Sequence, residues 1–392
     1  MRIDQHFTAG HAVVSSNRDL GTGIARWEIS AMPDSRLEEY NRPGGASLAC
    51  GMERTEPRRR EETVIVRLPT IFRTTALAFA LLLAVGIGYQ QFGSMMDAHR
   101  SPEPGRLIDV GGHRLKINCT GTGSPTVILE NGLGDILVEW QAVQAQISAF
   151  TRVCSYDRAG YGESDAGPLP RTSLQIAHEL HALLQNAGEH PPFILVGHSF
   201  GGYNIRVFHG QYANEVVGLL LVDATQEDQY ELLPPAWKPL GASLLSRWQN
   251  QAKWMPLQIS LGIARLRFGK QLGPYGYLIL RPNYLKARAS ELEMIQTSAE
   301  QARAAGTCGN KPLIVLTGVQ QDDSLKTALS PEDFAQFQRA WVQTLQPRLA
   351  HLSTRGKQIV LGDVGHDIPA QDPTAVVNAV REICAQAGQG TP

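Results

Sequence analysis

The stretch FILVGHSFGG, residues 193–202, joins four apolar residues typical of a buried strand to a glycine-rich turn. Residues 197–201 fit the pattern Gly-x-Ser-x-Gly, in which a sharp strand-to-helix turn holds a serine in a strained and exposed position. The small residues Gly197 and Gly201 leave room for that turn, and apolar residues at helical spacing follow it. Because a serine hydroxyl is a weak nucleophile unless it is held exposed beside a base, Ser199 is the candidate nucleophile.

Outward from this turn, apolar runs alternate with segments of helical periodicity. The alternation favours a parallel sheet, and the near-continuous apolar runs agree because parallel strands are buried on both faces. The chain is predicted to form strands over 107–110, 113–119, 126–130, 151–156, 193–196, 216–222, 311–317 and 358–361, and helices over 140–147, 174–187, 334–352 and 375–385.

Residues 226–305 interrupt this alternation. They contain Pro234-Pro235, three tryptophans and several Leu and Met residues, but no clear strand. We interpret them as a helical cap, inserted after Asp223 into a domain predicted to span residues 104–388.

A candidate general base, His366, follows the last predicted strand. A nucleophilic serine needs such a base, and the base needs an orienting carboxylate. The chain order serine, acid, histidine is that of α/β-hydrolases. Together with the sequences NGLG at 131–134 and DRAGYGES at 157–164, these motifs make residues 106–388 resemble the α/β-hydrolase fold superfamily, as a serine-nucleophile member with a helical cap.

The resemblance implies a mostly parallel eight-stranded sheet with helices on both faces, and a role for each matching residue. Ser199 would be the nucleophile, and His366 would be the base that later protonates the leaving group. The backbone N–H groups of Phe200 and Leu133 would form the oxyanion hole, at about 2.7–4 kcal/mol for each donor. Asn131 stands where a histidine is common, but the hole should be retained because its donors are backbone groups.

Two places are open for the triad acid, since families of this fold put it after the sixth or the seventh strand. Asp223 ends the sixth strand, and this rigid position favours it. Asp322 and Asp323 follow the seventh strand and remain alternatives. The usual seventh-strand position, about three residues after a glycine such as Gly318, is occupied here by Gln321.

The other polar residues near these motifs suggest structural roles. Asp157 and Arg158 are expected to fix a turn near the site, and His198 is expected to pack behind the nucleophile. The remaining histidines and the cysteines lack metal-ligand spacing, so no metal and no cofactor are assigned. A net charge of -1 gives no reason to expect nucleic-acid binding.

An uncharged apolar run occupies residues 74–89, within a segment of 71–92 that is predicted to be a transmembrane anchor or a signal segment. Five arginines at positions 58, 59, 60, 67 and 73 precede its core and the next cation is Arg100, so the positive-inside rule sends the catalytic region across the membrane. We favour an uncleaved anchor, because no clear cleavage site follows. Residues 1–70 are predicted to be disordered, and Met52 is a possible true start.

Four cysteines follow the apolar run, and an even number in an exported domain permits two disulfides. In the usual strand order of the family, the strands of Cys119 and Cys154 are neighbours, so these two could pair if the register permits. Cys308 and Cys384 would then be left to each other. Four free thiols are the alternative.

These features together predict a membrane-anchored or exported serine hydrolase that cleaves a carboxylic ester or thioester through an acyl-enzyme. The Trp-bearing cap favours an apolar small molecule or a lipid as its substrate. Perhydrolase or C–C bond hydrolase activity without a cofactor would retain the serine and remains an alternative. A non-catalytic protein that binds a small ligand on the same fold is another.

Overall fold

The computed structural model describes residues 13–16, 27–30, 70–100, 102–269, 271, 273–319 and 323–388. The chain divides into two compact units, Met1–Arg67 and Leu68–Pro392. In the first unit, strands β1 (Val13–Ser16) and β2 (Trp27–Ser30) pair antiparallel. This pair departs from the disorder predicted over residues 1–70, and the rest of that prediction lies outside the described residues except at Thr70, where a helix begins.

The second unit contains an eight-stranded sheet. Its strands are β3 (Arg106–Asp109), β4 (Arg114–Thr120), β5 (Thr126–Glu130), β6 (Val153–Tyr156), β7 (Phe193–His198), β8 (Val216–Val222), β9 (Leu313–Gly318) and β10 (Gly356–Leu361). They lie in the order β10-β9-β8-β7-β5-β6-β4-β3. The β3–β4 and β4–β6 pairs are antiparallel and the others are parallel, as the predicted fold class requires.

Helices surround the sheet and cap one end of the domain. They are α1 (Thr70–Arg100), α2 (Gln141–Ile147), α3 (Ser173–Ala187), α4 (Gly201–Gln211), α5 (Gln229–Leu232), α6 (Trp237–Ser260), α7 (Ile263–Phe268), α8 (Gly276–Ile279), α9 (Pro282–Glu293), α10 (Ile295–Ala304), α11 (Asp323–Ala328), α12 (Pro331–Ala340), α13 (Gln346–Ala350), α14 (Ile368–Gln371) and α15 (Pro373–Gly388). The helices α5–α10 occupy the segment that the sequence assigns to a cap. A π-helical turn, Trp341–Leu345, joins α12 to α13, so the long helix predicted over 334–352 is continuous but locally widened.

Two apolar layers cover the two faces of the sheet. Successive residues of a strand point to opposite faces, so Leu195 packs in the layer beneath α3 and α4 while its neighbour Val196 packs in the layer beneath α2 and α15. The central strands β5, β7 and β9 are buried along their whole length. Burial on both faces explains why these strands appear in the sequence as continuous apolar runs.

The structure contains one of the two predicted disulfides. Cys119 and Cys154 stand opposite each other in the β4–β6 register and form a disulfide. The predicted pairing of Cys308 with Cys384 is wrong, because both are free thiols. They belong to layers on opposite faces of the sheet, and the sheet itself separates them.

Candidate active site

Ser199 lies at the tip of the turn between β7 and α4. Its φ of 52° is in the left-handed region that residues other than glycine rarely adopt. A Cβ at Gly197 would stand 2.6 Å from the carbonyl oxygen of Gly201, and a Cβ at Gly201 would stand 2.7 Å from that of Asn131. Only glycine therefore fits on either side of the serine. The turn presents the Ser199 hydroxyl at the carboxyl end of the parallel strands.

Two short contacts link Ser199, His366 and Asp223. Nε2 of His366 lies 2.9 Å from Oγ of Ser199, and Nδ1 of His366 lies 2.7 Å from Oδ2 of Asp223. The imidazole is partly exposed, whereas the Asp223 carboxylate is fully buried. This arrangement has the geometry of a nucleophile, a base and an orienting acid.

The Asp223 carboxylate is fixed by two further hydrogen bonds. Its Oδ1 accepts from the N–H of Gly318 at 3.0 Å and from the indole N–H of Trp341 at 2.9 Å, which leaves Oδ2 for His366. The backbone of Asp223 has a positive φ of 40°, so this residue too is held in a conformation that side chains rarely adopt. Asp322, one of the alternative acids, lies outside the described residues, and of Asp323 only the backbone is described, at the start of α11.

The contact between Trp341 and Asp223 was not predicted from the sequence. Trp341 stands at the start of the π-helical turn, a feature that is frequent at functional sites. The sequence shows only a tryptophan within a predicted helix. A tryptophan at such a position can donate its indole N–H to a carboxylate or can pack in the core, and the sequence does not distinguish the two.

The backbone N–H groups of Leu133 and Phe200 are available as donors. Within the part of the chain that the structure describes, neither has a hydrogen-bond acceptor. Leu133 belongs to residues 131–134, here called the oxyanion loop, and lines the same cavity as Ser199. Phe200 follows the serine at the start of α4. These two N–H groups are therefore free to bind a negatively charged oxygen.

Buried Arg158 holds the oxyanion loop in place. Its guanidinium donates to the carbonyl oxygens of Asn131 and Gly132, both at 2.8 Å. It also pairs with Glu130 at 2.9 Å and with Glu291 of the cap helix α9 at 2.8 Å. This agrees with the structural role expected for Arg158 and extends it to the cap.

A cavity of about 210 Å³ opens beside Ser199 and His366. Partial desolvation, together with the negative charges of Asp135 and Asp367, raises the pKa of the Glu139 carboxyl. Because three carboxyl groups line this cavity, the surface beside the serine is acidic. The rest of the cavity wall consists of three carboxylates (Asp135, Glu139 and Asp367), the imidazole of His198, the amide of Asn131, and the apolar side chains of Leu133, Trp140 and Pro369.

His198 packs beside the His366 imidazole and pairs with Asp135. Its Nδ1 lies 3.4 Å from Oδ2 of Asp135, and its Nε2 lies 3.0 Å from the carbonyl oxygen of His366. Burial lowers the pKa of His198, but the hydrogen bond and the charge of Asp135 outweigh it, so the pKa is raised overall. His198 thus braces the loop that carries His366.

One group of potential metal ligands lies close together among the described residues: Cys119, Cys154 and Glu189. The two sulfurs are joined in a disulfide and cannot act as thiolates, and Glu189 is already paired with Arg152 at 2.6 Å. This group does not have the chemistry of a metal site, and the assignment of no metal stays a prediction.

Comparison with known proteins places the fold in a family. A family model described as an alpha/beta hydrolase family matches residues 127–380, more than half of the chain. The chain belongs to the α/β-hydrolase family.

Three individual proteins illustrate the similarity of this α/β-hydrolase to others. An AB hydrolase superfamily protein of Gibberella zeae is 28% identical over 66% of this chain and 86% of its own length. A probable transporter of Hormonema carpetanum, efuK, is 36% identical over 33% of this chain, which spans only 20% of that relative. The structure of a thermophilic esterase from Thermogutta terrifontis superposes with a TM-score of 0.51 at 22% identity, over 72% of this chain and 98% of the esterase.

The acidic cavity wall of this α/β-hydrolase is the main feature that sequence reasoning missed. Asp135 and Glu139 lie between predicted elements, and Asp367 adjoins His366 in the sequence. Only the adjacency of Asp367 to the predicted base offered a signal. The other two carboxylates reach the cavity through a loop whose path depends on Arg158 and on the cap.

Proposed function

We propose that the protein is a serine hydrolase that cleaves an ester-like bond through an acyl-enzyme. The observation that carries this proposal is the pair of contacts from His366, at 2.9 Å to Ser199 and at 2.7 Å to Asp223. The family supports hydrolase activity in general. The choice of bond and the covalent step rest on the serine and on the free donors beside it.

In the proposed first step, Nε2 of His366 accepts the Ser199 proton while Oγ attacks the substrate carbonyl carbon. Asp223 stabilises the imidazolium that forms, and the N–H groups of Leu133 and Phe200 bind the oxyanion. His366 then gives the proton to the leaving alcohol or thiol as the carbonyl–leaving-group bond breaks. Water activated by His366 releases the acid and restores the serine.

The acidic cavity wall favours an ester that carries no negative charge near the reacting carbonyl. Asp135, Glu139 and Asp367 would repel an anionic substrate at this place. The same charges would repel the carboxylate product once it leaves the serine. An uncharged ester or thioester of a small apolar molecule or a lipid is therefore the proposed substrate class.

Haloalkane dehalogenation and epoxide hydrolysis are less favoured on this fold, because both need an aspartate at the elbow, where this chain has Ser199. Perhydrolysis and C–C bond hydrolysis retain the serine and are separated from ester hydrolysis by product analysis. A ligand-binding protein without activity would leave Ser199 unreactive.

Labelling with a fluorophosphonate tests the proposal. The wild-type protein should be labelled, and Ser199→Ala should lose both the label and the hydrolysis of p-nitrophenyl esters while remaining folded. Ser148→Ala is a matched control, because the only partner of the Ser148 hydroxyl among the described residues is the carbonyl oxygen of Ala145. Undiminished ester hydrolysis in folded Ser199→Ala would contradict the proposal.

We also propose that α1 anchors the protein in a membrane, with the N-terminus in the cytoplasm and the catalytic domain outside. This helix is long and apolar enough to cross a bilayer, although a signal sequence passes the same test. The arginines before it support the orientation. The Cys119–Cys154 disulfide supports an oxidising compartment for the domain.

A further inference from the structure

The corner between α6 and α7 packs closely on the second half of α1. A Cβ at Gly86 of α1 would overlap the carbonyl oxygen of Leu261, and a Cβ at Gly262 would stand 2.7 Å from the carbonyl oxygen of Gly86. Three residues after Gly262, Arg265 of α7 pairs with Asp97 of α1 at 2.6 Å. The two backbones therefore touch at Gly86, and the contact continues to Asp97.

The position of this contact along α1 decides its environment. Residues 74–96 carry no charge, so a spanning α1 would hold Arg73 and Asp97 at or beyond the two edges of the apolar layer. Gly86 follows Arg73 by 13 residues, or about 20 Å along the helix axis, whereas the hydrocarbon layer is about 30 Å thick. Gly86 would therefore lie inside the layer, and whatever touches it would lie there as well. Asp97, about 36 Å from Arg73, would lie just outside.

The surface of the corner has the chemistry that such a position requires. Trp254, Leu257 and Leu266 are 60%, 63% and 72% exposed, which is within ten percentage points of Leu77 and Leu82 on the proposed membrane face of α1, at 70% and 69%. Exposed large apolar side chains that lie together mark a contact with lipid or protein.

The backbone hydrogen bonds of the corner and the pairing of Arg265 also suit an apolar layer. The N–H groups of Leu261, Gly262 and Leu266 all donate to backbone carbonyls within the corner, as a lipid environment demands. Arg265, the cation next to Gly93 of α1, is paired with Asp97 and with the Ser94 hydroxyl, at the level where the helix would leave the layer.

We propose that this corner, residues 254–266, is inserted in the bilayer beside α1, so that the cap is held in the membrane at two places. The inference rests on the proposed membrane span, and it specifies lipid rather than another protein as the partner of the exposed apolar surface. The depth of about 10 Å implied at Gly86 is at the upper end of the range for helices that lie in a membrane interface.

The proposed insertion would bring the membrane close to the candidate active site. Trp248, two turns before Trp254 on α6, stacks under the Arg288 guanidinium at 4.1 Å. A Cβ at Gly134 of the oxyanion loop would lie 4.0 Å from the Trp248 ring. A single helix thus runs from the lipid-facing corner to the oxyanion loop.

Fluorescence quenching in vesicles tests the insertion. The full chain, with Cys50 and Cys384 replaced by Ser and the buried free thiol Cys308 replaced by Ala, receives one new cysteine at a time at Leu257 or Leu266, labelled with the polarity-sensitive dye NBD. After reconstitution into phosphatidylcholine–phosphatidylglycerol vesicles, lipids with a nitroxide on the acyl chain should cause a loss of fluorescence at both positions. Val360→Cys is the matched control, since this residue is exposed and apolar but lies on β10, at the edge of the sheet, and it should keep its fluorescence.

A labelled position on α1 separates this inference from the proposals on which it stands. Phe79→Cys, on the first half of α1, should be quenched if α1 spans the bilayer. Quenching at 79 without quenching at 257 and 266 would overturn the inserted corner alone. A blue shift of the NBD emission at 257 and 266 without quenching would also overturn it, because this result would mean that protein rather than lipid covers the corner. No quenching at 79 would overturn the span and the corner together. None of these readouts depends on hydrolase activity.

Discussion

Asp223 has both oxygens of its carboxylate engaged, one by Gly318 and Trp341 and the other by His366. The orienting acid in such a triad keeps the proton of the imidazole on Nδ1. We therefore expect Asp223→Asn to lower kcat by about 10⁴-fold, as loss of the acid does in serine triads generally, because the amide favours the wrong tautomer. Steady-state hydrolysis of a p-nitrophenyl ester measures the effect.

The alternative acids supply the controls for this substitution. Asp322→Asn and Asp323→Asn should leave kcat close to that of the wild type. A loss of turnover in one of these variants, with activity retained in Asp223→Asn, would transfer the role to the seventh-strand loop.

Two buried carboxyls, Glu103 and Asp157, lie close together beside Gly162, and we expect them to share a proton. One oxygen of Glu103 accepts a hydrogen bond from the backbone N–H of Glu163, and one oxygen of Asp157 accepts one from that of Leu137, both at 2.8 Å. The second oxygen of each carboxyl has no hydrogen-bond partner among the described residues. Burial and the neighbouring charge of Asp157 raise the pKa of Glu103. The folded state thus retains a proton that the unfolded chain releases near its ordinary pKa of about 4.3.

The shared proton makes stability depend on pH in a definite direction. A raised folded-state pKa contributes stability that is complete below the unfolded pKa and declines as pH rises towards the folded one. The free energy of unfolding should therefore fall by up to about 1.4 kcal/mol per pH unit above that point. Glu103→Gln, whose amide can still donate to Asp157, should show a shallower fall in denaturant titrations of the detergent-solubilised protein. Equal slopes would rule out the shared proton.

At the scale of elements, the strands and the elbow were predictable because local sequence determines them. Central strands are continuous apolar runs, and the glycines around Ser199 leave the turn no alternative. The triad acid was ambiguous in the sequence, since Asp223 and the pair Asp322/Asp323 all follow strands. The separation of Cys308 from Cys384 by the sheet was not visible either, because a sequence does not show which face a helix covers.

The join between the oxyanion loop and the cap rests on Arg158, which lies between Glu130 and Glu291. We expect Arg158→Met to reduce the free energy of unfolding by about 3–5 kcal/mol, because two buried carboxylates would lose their shared cation. The surface pair of Arg114 with Asp165, at 2.8 Å, gives the control. Arg114→Gln should cost no more than about 1 kcal/mol, as surface ion pairs generally do. Denaturant unfolding of both variants measures the difference. Similar losses of unfolding free energy in the two variants would contradict the structural role of Arg158.

At the scale of the whole molecule, the arginines before α1 predict which side of the membrane holds the enzyme. A reporter enzyme that is active only outside the cytoplasm, fused after residue 101, should be active. The matched fusion with a reporter that works only in the cytoplasm should be inactive. The opposite pattern would reverse the topology and leave the disulfide without its oxidising compartment.

The ion pairs of Arg158 have a consequence for engineering. Caps of α/β-hydrolases look like exchangeable lids, because they enter the chain as one insertion between two strands. Here Glu291 of α9 completes the charge balance of a cation that also holds two carbonyl groups of the oxyanion loop. A transplanted cap would have to supply a carboxylate at the same point, or Leu133, the proposed oxyanion donor, would shift together with the loop. Substrate range in this protein should therefore be altered by changing side chains within the cap, because replacing the cap as a whole would disturb the catalytic centre.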